Sequence, residues 1–535
     1  MKRVQLLFLS LLSAVLLSLP WLKILPGWIL LIALLPLLII EDQLSRQREQ
    51  HGSIVFFGYA YLCFFLWNAF TTWWIMNATI VGALLAIIAN AAFMATVWWL
   101  FHLIKRHFSF KLGHLSLVVL WISFEYLHFN WQIEWPWLTL GNGFSNQVKL
   151  VQWYEYTGVL GGSMWTLLVN LLFFRLYGSI PEKGVARSAG RITFLFLMIF
   201  VPVWISFRIY NHYQETGKSE NIIVLQPNID PYNEKFADMH PEDQMKILLE
   251  LTDSLITDST DYVVGPETAL PPMWENQQMI TNDYLSPFHR RALRHPRVNF
   301  ILGATTQILF HAGEEMPETV RKLEDDSLYY DVYNTALQIG QSNEVQRYHK
   351  SILVPGVEKM PFSKYFSFIE NFIIDLGGTT GSLGIQQEPS TFSRPDGFQV
   401  APVICFESVF GEYMTKDVRN GARLIFVITN DGWWKNTPGY KQHLSFSRLR
   451  AIETRRSIAR SANTGISALI DQRGEIRQQT GWWTKTAIKG KLRSNDSITF
   501  YVRYGDYIGR ISSFMSVLLL LYYSSQRYLK KRVPY

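Results

Sequence analysis

Three residues of this chain have the types that attack on a carbonyl requires, and each directly follows an apolar run. Cys405 ends Gln399-Val-Ala-Pro-Val-Ile-Cys405, Glu267 follows Val263-Val-Gly-Pro266, and Lys350 sits in Arg347-Tyr-His-Lys-Ser-Ile352. A thiol becomes a nucleophile once a base removes its proton, and the oxyanion formed on attack needs a fixed positive donor. Glu267 as base, Lys350 as cation and Cys405 as nucleophile supply those parts. Each has a plainer explanation as well. A free cysteine packs as a small hydrophobe, a carboxylate after Gly-Pro opens a helix, and a loop lysine is a solvated charge. Taken singly these explanations are at least as good; only the set names a mechanism.

The elements that must position these residues alternate between strand and helix. Apolar, β-branched strands are expected at 221–230, 261–264, 299–303, 334–338, 345–348, 399–404 and 422–428, with helices near 241–257, 286–294, 411–419 and 440–459. A hairpin over 466–476, turning at Gln472-Arg-Gly474, closes the region. This is an α/β domain whose hairpins make the sheet mixed, and in such sheets functional groups collect at the carboxyl ends of strands.

The remainder of the chain is a membrane protein by composition. Half of its 535 residues are hydrophobic, and they concentrate in runs near 4–22, 24–40, 54–75, 79–104, 113–129, 159–177, 192–210 and 508–523, each of the order a spanning helix needs. No small-x-small cleavage site follows Pro20, so the first run is read as a retained span rather than a secretory signal. The predicted organisation is therefore a membrane domain of seven spans over 1–215, a domain over 216–507, and an eighth span with a cytoplasmic tail over 508–535.

Lysine and arginine crowd the loops on one side, among them Arg46, Lys105, Arg106, Lys111, Arg187 and Arg191, whereas the opposite short loops hold only Lys23 and Lys149. Cytoplasmic loops carry such an excess, which puts 216–507 outside the cytoplasm. It also accounts for the net charge of +7 and removes nucleic acid as a partner. With Cys63 inside a span and Cys405 outside, the two cysteines make no disulfide framework.

Outside the three chemical residues, the loop 130–155 carries Trp131, Trp135, Trp137 and Trp153, either an interfacial belt or a wall for lipid entry. Gly377–Gly384 and Trp433-Trp434 are candidates for a mobile lid, and Leu353, Val354, Met360, Phe362, Tyr365 and Phe366 for an apolar arm, with core packing as the alternative. His443 has no His or Cys partner at ligand spacing and is read as structural.

In order and in strand context, Glu267, Lys350 and Cys405 match the Glu-Lys-Cys triad of the nitrilase superfamily, which this chain resembles. Gln226-Pro-Asn-Ile229, Gly265-Pro-Glu-Thr-Ala-Leu-Pro271, Tyr348-His-Lys-Ser-Ile-Leu-Val-Pro355 with Glu358, Ile404-Cys-Phe-Glu407, Thr429-Asn-Asp-Gly-Trp-Trp434 and Arg460-Ser-Ala-Asn-Thr-Gly465 narrow the resemblance to its integral membrane branch, the apolipoprotein N-acyltransferases.

The resemblance implies an eight-span bundle with an extracytoplasmic αββα sandwich. The implied enzyme works by ping-pong acyl transfer at a bacterial inner membrane, with the catalytic domain on the periplasmic side. Cys405 takes an acyl chain from a phospholipid as a thioester and passes it to the α-amine of a diacylglyceryl-cysteine at an apolipoprotein's amino terminus. A monomer without metal or organic cofactor suffices. Glu358 and Glu407 are implied as further active-site carboxylates. Phe406 stands where the family often has tyrosine, and Phe236 keeps an aromatic near the Gln-x-Asn-Ile motif; with Trp433 and Trp434 it is a candidate lipid contact. A membrane-tethered amidase or acyl hydrolase using water, and a non-enzymatic scaffold, are the alternatives.

Overall fold

The computed structural model describes residues 1–47, 49–108, 110–234, 239–323, 327–361 and 382–532. The chain divides into two units, one of 1–76, 80–212 and 504–535, the other of 77–79 and 213–503.

Among the described residues, seven helices of the first unit are long and apolar enough to cross a membrane: Gly27–Arg46, Ser53–Asn77, Ile80–His107, Lys111–Phe129, Tyr154–Ile180, Gly184–His212 and Tyr507–Leu529. The first expected span is shorter. Its helix, Arg3–Ser18, has 16 residues, about 24 Å at the α-helical rise, against a hydrocarbon core of about 30 Å. Pro20 explains the early stop, because it has no N–H with which to carry the helical hydrogen-bond pattern on. Eight apolar helices thus occupy the eight expected stretches, seven of them of spanning length. Gly184, at φ 77°, breaks the continuous run from Tyr154 to His212 into two helices, a backbone angle that glycine adopts without a Cβ penalty.

Among the described residues the second unit holds fourteen strands: β1 (Ser219–Gln226), β2 (Tyr262–Val264), β3 (Leu270–Trp274), β4 (Asn299–His311), β5 (Arg321–Lys322), β6 (Leu328–Ile339), β7 (Gln346–His349), β8 (Phe392–Ser393), β9 (Gln399–Ile404), β10 (Leu424–Thr429), β11 (Ile458–Ala462), β12 (Ala468–Ile470), β13 (Ile476–Gln479) and β14 (Thr486–Arg493). They form two sheets. One has the order β14-β1-β2-β4-β6-β5, with β3 beside β4 and β7 beside β6; the other is β13-β12-β11-β10-β9-β8. The central neighbours β1, β2 and β4 are parallel, as are β9, β10 and β11.

Successive strand residues point to opposite faces, and both faces here are covered. Ile222, Val224 and Val264 of the first sheet pack against Val400, Ile404, Phe426 and Ile428 of the second. Their sequence neighbours Ile223, Leu225 and Val263 turn outward onto Met245 and Leu248 of helix Pro241–Asp253 and onto Phe288 of helix Ser286–Arg294. Ala401, Val403, Ile425 and Val427 meet Met414 of helix Gly411–Arg419 and Leu444 and Ala451 of helix Pro438–Thr454. This is an αββα sandwich, and burial on both faces is why β9 and β10 read as unbroken apolar runs.

Five strands escaped the sequence: β3, β5, β8, β11 and β14. β11 begins where the helix expected over 440–459 was to end, because that helix stops at Thr454. β3 contains Pro271 and Pro272, which argue against a strand, and its pairing with β4 shifts register between Leu270 and Met273. β14 is an edge strand rich in Lys and Arg that pairs antiparallel with β1 along its whole length. The expected strand 299–303 also runs on to His311, paired throughout with β6.

Candidate active site

β9 runs into a 3₁₀ turn, Cys405–Val409, and Cys405 takes φ 50°, the left-handed region that non-glycine residues seldom occupy. Burial pushes its thiol well above the ordinary value and Glu267 pushes it further, while Lys350 pulls it down. The resting group is a thiol that needs a base.

Glu267 lies in the segment joining β2 to β3, so it enters a strand rather than opening a helix. Its Oε1 accepts from Asn334 Nδ2 at 2.7 Å and its Oε2 from the Asn430 amide at 3.1 Å. Asn334 belongs to the first sheet and Asn430 follows β10 of the second, so this carboxylate joins the two. Gly303 makes its position possible: a Cβ there would stand 2.6 Å from Glu267 Cα and 2.5 Å from Thr268 N.

Lys350 extends β7 by donating its amide to Asn334 O at 2.8 Å. Its side chain is fully buried. Nζ lies 2.8 Å from Glu358 Oε1 and 3.4 Å from Glu267 Oε1. Burial alone would lower its pKa, but Glu358 and Glu267 outweigh that and hold it above the ordinary lysine value. Glu358 is fixed in turn by the Val354 amide, which donates to its Oε2 at 2.8 Å, and by Asn334 Nδ2 at 3.3 Å. Asn334 thereby touches both carboxylates that flank the lysine. The sequence placed it in a strand and offered no sign of this role, since an asparagine entering an apolar run looks like any strand edge.

Glu407 is buried and ties two chain segments together. Its Oε2 accepts the Ile404 amide at 2.8 Å; its Oε1 accepts Ser351 N at 2.7 Å and the Tyr348 hydroxyl at 2.6 Å. The end of the Cys405 strand and the Lys350 loop are thus pinned to one carboxyl. Burial pushes it up to about 7, against the opposing hydrogen bonds from Tyr348, Ile404 and Ser351.

Of the other sequence candidates, Phe406 is buried, its ring edge-on to Phe410 at 5.1 Å. Trp433 and Trp434 are half-buried in a 3₁₀ turn, the first edge-on to Tyr232 at 5.3 Å and the second to His443 at 5.4 Å. Phe236, Phe362, Tyr365, Phe366 and 377–381 of the glycine-rich loop lie outside the described residues. The described end of that loop runs beside the site, with Leu383 N donating to Glu358 O at 3.0 Å. Leu353 is buried, and Val354 and Met360 are partly so.

Two family models match the chain: the apolipoprotein N-acyltransferase N-terminal domain over residues 13–172 and carbon-nitrogen hydrolase over residues 224–499. The chain is similar to the apolipoprotein N-acyltransferase of Chlorobaculum tepidum, 28% identical over 521 residues that cover 94% of each chain. The enzyme of that name from Geobacter metallireducens is 28% identical over 73% of this chain and 70% of its own. The one from Thermotoga maritima is 24% identical over 96% and 92%. With more than half of its residues matched by one model, and the segment before them matched by the other, the chain belongs to the carbon-nitrogen hydrolase family, in the branch that carries an apolipoprotein N-acyltransferase N-terminal domain.

Proposed function

We propose that this multi-pass membrane protein is a lipoprotein N-acyltransferase that carries the acyl group on Cys405. The observation that supports this most is the meeting of segments from three strand ends: the Lys350 ammonium lies between Glu267 and Glu358, and Glu407 ties the Ile404 amide before Cys405 to the Ser351 amide after Lys350.

In the first half-reaction Glu267 takes the Sγ proton and the thiolate attacks the ester carbonyl carbon of a phospholipid. Lys350 stabilises the oxyanion. Its collapse breaks the ester C–O bond, and Glu267 returns the proton to the departing lysophospholipid oxygen. In the second half the α-amine of a diacylglyceryl-cysteine attacks the thioester. Glu267 accepts an amine proton, the C–S bond breaks, and that proton returns to Sγ as the amide leaves. Glu358 has a distinct part. When Glu267 takes the proton the negative charge passes to sulfur and then to the oxyanion, while the carboxylate 2.8 Å from Lys350 stays in place as its counterion throughout.

The N-terminal family match, and relatives that bear this name along their whole length, favour an amine acceptor over water. The distribution of basic loop residues supports a site on the periplasmic side of the inner membrane, and one copy of the chain holds all the groups that the scheme uses. Purified protein given phospholipid with a labelled acyl chain tests the acceptor. Label should enter a diacylated lipopeptide as an amide; equal release of free fatty acid with and without the peptide, and no labelled peptide, contradicts the transferase assignment.

A further inference from the structure

On the carbonyl side of Cys405 lies a set of buried polar groups that the reaction scheme leaves unused. His443, within helix Pro438–Thr454, has Nε2 at 3.1 Å from Cys405 O and 2.9 Å from Ser408 Oγ. Its Nδ1 stands 3.0 Å from Asp431 Oδ1 and 3.1 Å from Arg460 Nη2. Arg460 Nη2 donates to Asp431 Oδ2 at 2.6 Å, and its Nη1 donates to Ile466 O, also at 2.6 Å. His443, Asp431, Arg460 and Ser408 are all fully buried.

A backbone carbonyl only accepts, and the Ser408 hydroxyl donates to Cys405 O at 2.7 Å. Assigned the tautomer with its proton on Nε2, His443 donates to Cys405 O as well. At Nδ1 either protonation state is satisfied, since Arg460 donates there and Asp431 accepts. Cys405 O thus receives two buried side-chain donors, one of them backed by an ion pair.

That carbonyl belongs to the residue with φ 50°. A left-handed non-glycine residue is strained and persists only where its surroundings over-determine it. The donors on its carbonyl supply that constraint. Because the peptide is planar and trans, holding Cys405 C=O also sets the direction of the Phe406 N–H on its far side. We propose that His443, held by Asp431 and Arg460, is a positioning residue: through Cys405 O it locks the left-handed backbone that presents the thiol to Glu267 and Lys350. This inference rests on the assignment of Cys405 as nucleophile.

The test uses the full-length protein in detergent, loaded in a single turnover from labelled phospholipid at varied donor concentration. Wild type is compared with His443→Ala, His443→Gln, Ser408→Ala and Cys405→Ala. His443→Ala should cut the saturating acylation rate by about 100-fold and leave the half-saturating donor concentration within about twofold, the pattern of a misplaced nucleophile. Ser408→Ala should show a smaller loss of the same kind, and His443→Gln, whose amide still donates, should recover part of the rate. A wild-type rate in folded His443→Ala, or a raised half-saturating concentration at unchanged saturating rate, overturns the proposal. Should His443→Ala fail to accumulate, wild-type rates in both His443→Gln and Ser408→Ala overturn it equally. Cys405→Ala separates the two levels: acyl label equal to wild type there removes the nucleophile assignment, whereas normal acylation in the other variants removes only the role of His443.

Discussion

The Lys350 ammonium lies 2.8 Å from Glu358 and 3.4 Å from Glu267, so it is held more tightly by the carboxylate that keeps its charge than by the one assigned to move protons. In the proposed scheme Glu267 gains a proton in each half-reaction, and Glu358 gives the buried cation a counterion that takes no part in proton transfer. Dividing the two tasks between two carboxylates lets Glu267 change charge while Lys350 does not.

Glu358→Gln tests that division. The acylation rate should fall by about 10–100-fold with little change in the donor concentration needed, because the loss appears only when Glu267 is protonated. Removing one partner of a buried ion pair typically costs about 3–5 kcal/mol, so thermal unfolding of the variant should move down as well. Unchanged single-turnover acylation in folded Glu358→Gln contradicts the division.

The thiol should respond to its two charged neighbours with opposite signs. Burial and Glu267 raise the Cys405 pKa and Lys350 lowers it. In a Cys63→Ser background, alkylation of Cys405 against pH should therefore show no inflection at the ordinary thiol value of about 8.5, only a rise at higher pH. Glu267→Gln should shift that rise to lower pH even as catalysis is lost, and Lys350→Met should shift it to higher pH. Shifts of the reverse sign separate the thiol from these charges.

Gly303→Ala places a methyl 2.6 Å from Glu267 Cα in a region with no slack. Overpacking of this kind costs about 1–3 kcal/mol, and here the displaced group is the proposed base. Acyl transfer should drop by about tenfold or more while the protein remains folded, a larger effect on rate than on unfolding temperature. Near-normal transfer shows that the base is placed by something other than this contact.

Arg460 is buried against Asp431, whose carboxyl is held below its ordinary value: burial opposes this, and Arg460 and His443 prevail. A carboxylate with depressed pKa in the folded state stabilises above its unfolded value and loses that contribution as pH falls. Wild type should lose stability on acidification partly through this group, and Arg460→Met should shrink that dependence while lowering stability near neutral pH by about 3–5 kcal/mol. Unfolding midpoints at several pH values check both; an unchanged pH dependence argues against the pair.

Much of this arrangement was legible because it rests on local pattern. β9 and β10 are apolar on both faces, and the positions of Glu267, Lys350 and Cys405 follow from reading where apolar runs end. What the sequence hid depends on tertiary pairing. The prolines of β3 mask a strand that survives by shifting register, and the edge strand β14 is disguised by its charges. Asn334 reveals its contact with both carboxylates only when β6 lies between them. His443, read as structural, gave no hint of what it holds, since a carbonyl partner 38 residues away leaves no spacing signal. Glu407, placed by resemblance among active-site carboxylates, receives backbone amides from both the Cys405 and Lys350 segments, a contact no local pattern shows.

The most direct measurement is the intact mass of the protein after exposure to phospholipid alone and then to a diacylated lipopeptide. Wild type should gain the mass of one acyl chain, mapped to Cys405 and labile to hydroxylamine, and lose it to the peptide amine on the second addition. No acyl adduct on wild type while peptide acylation proceeds at full rate, or an adduct that persists in Cys405→Ala, would contradict the account.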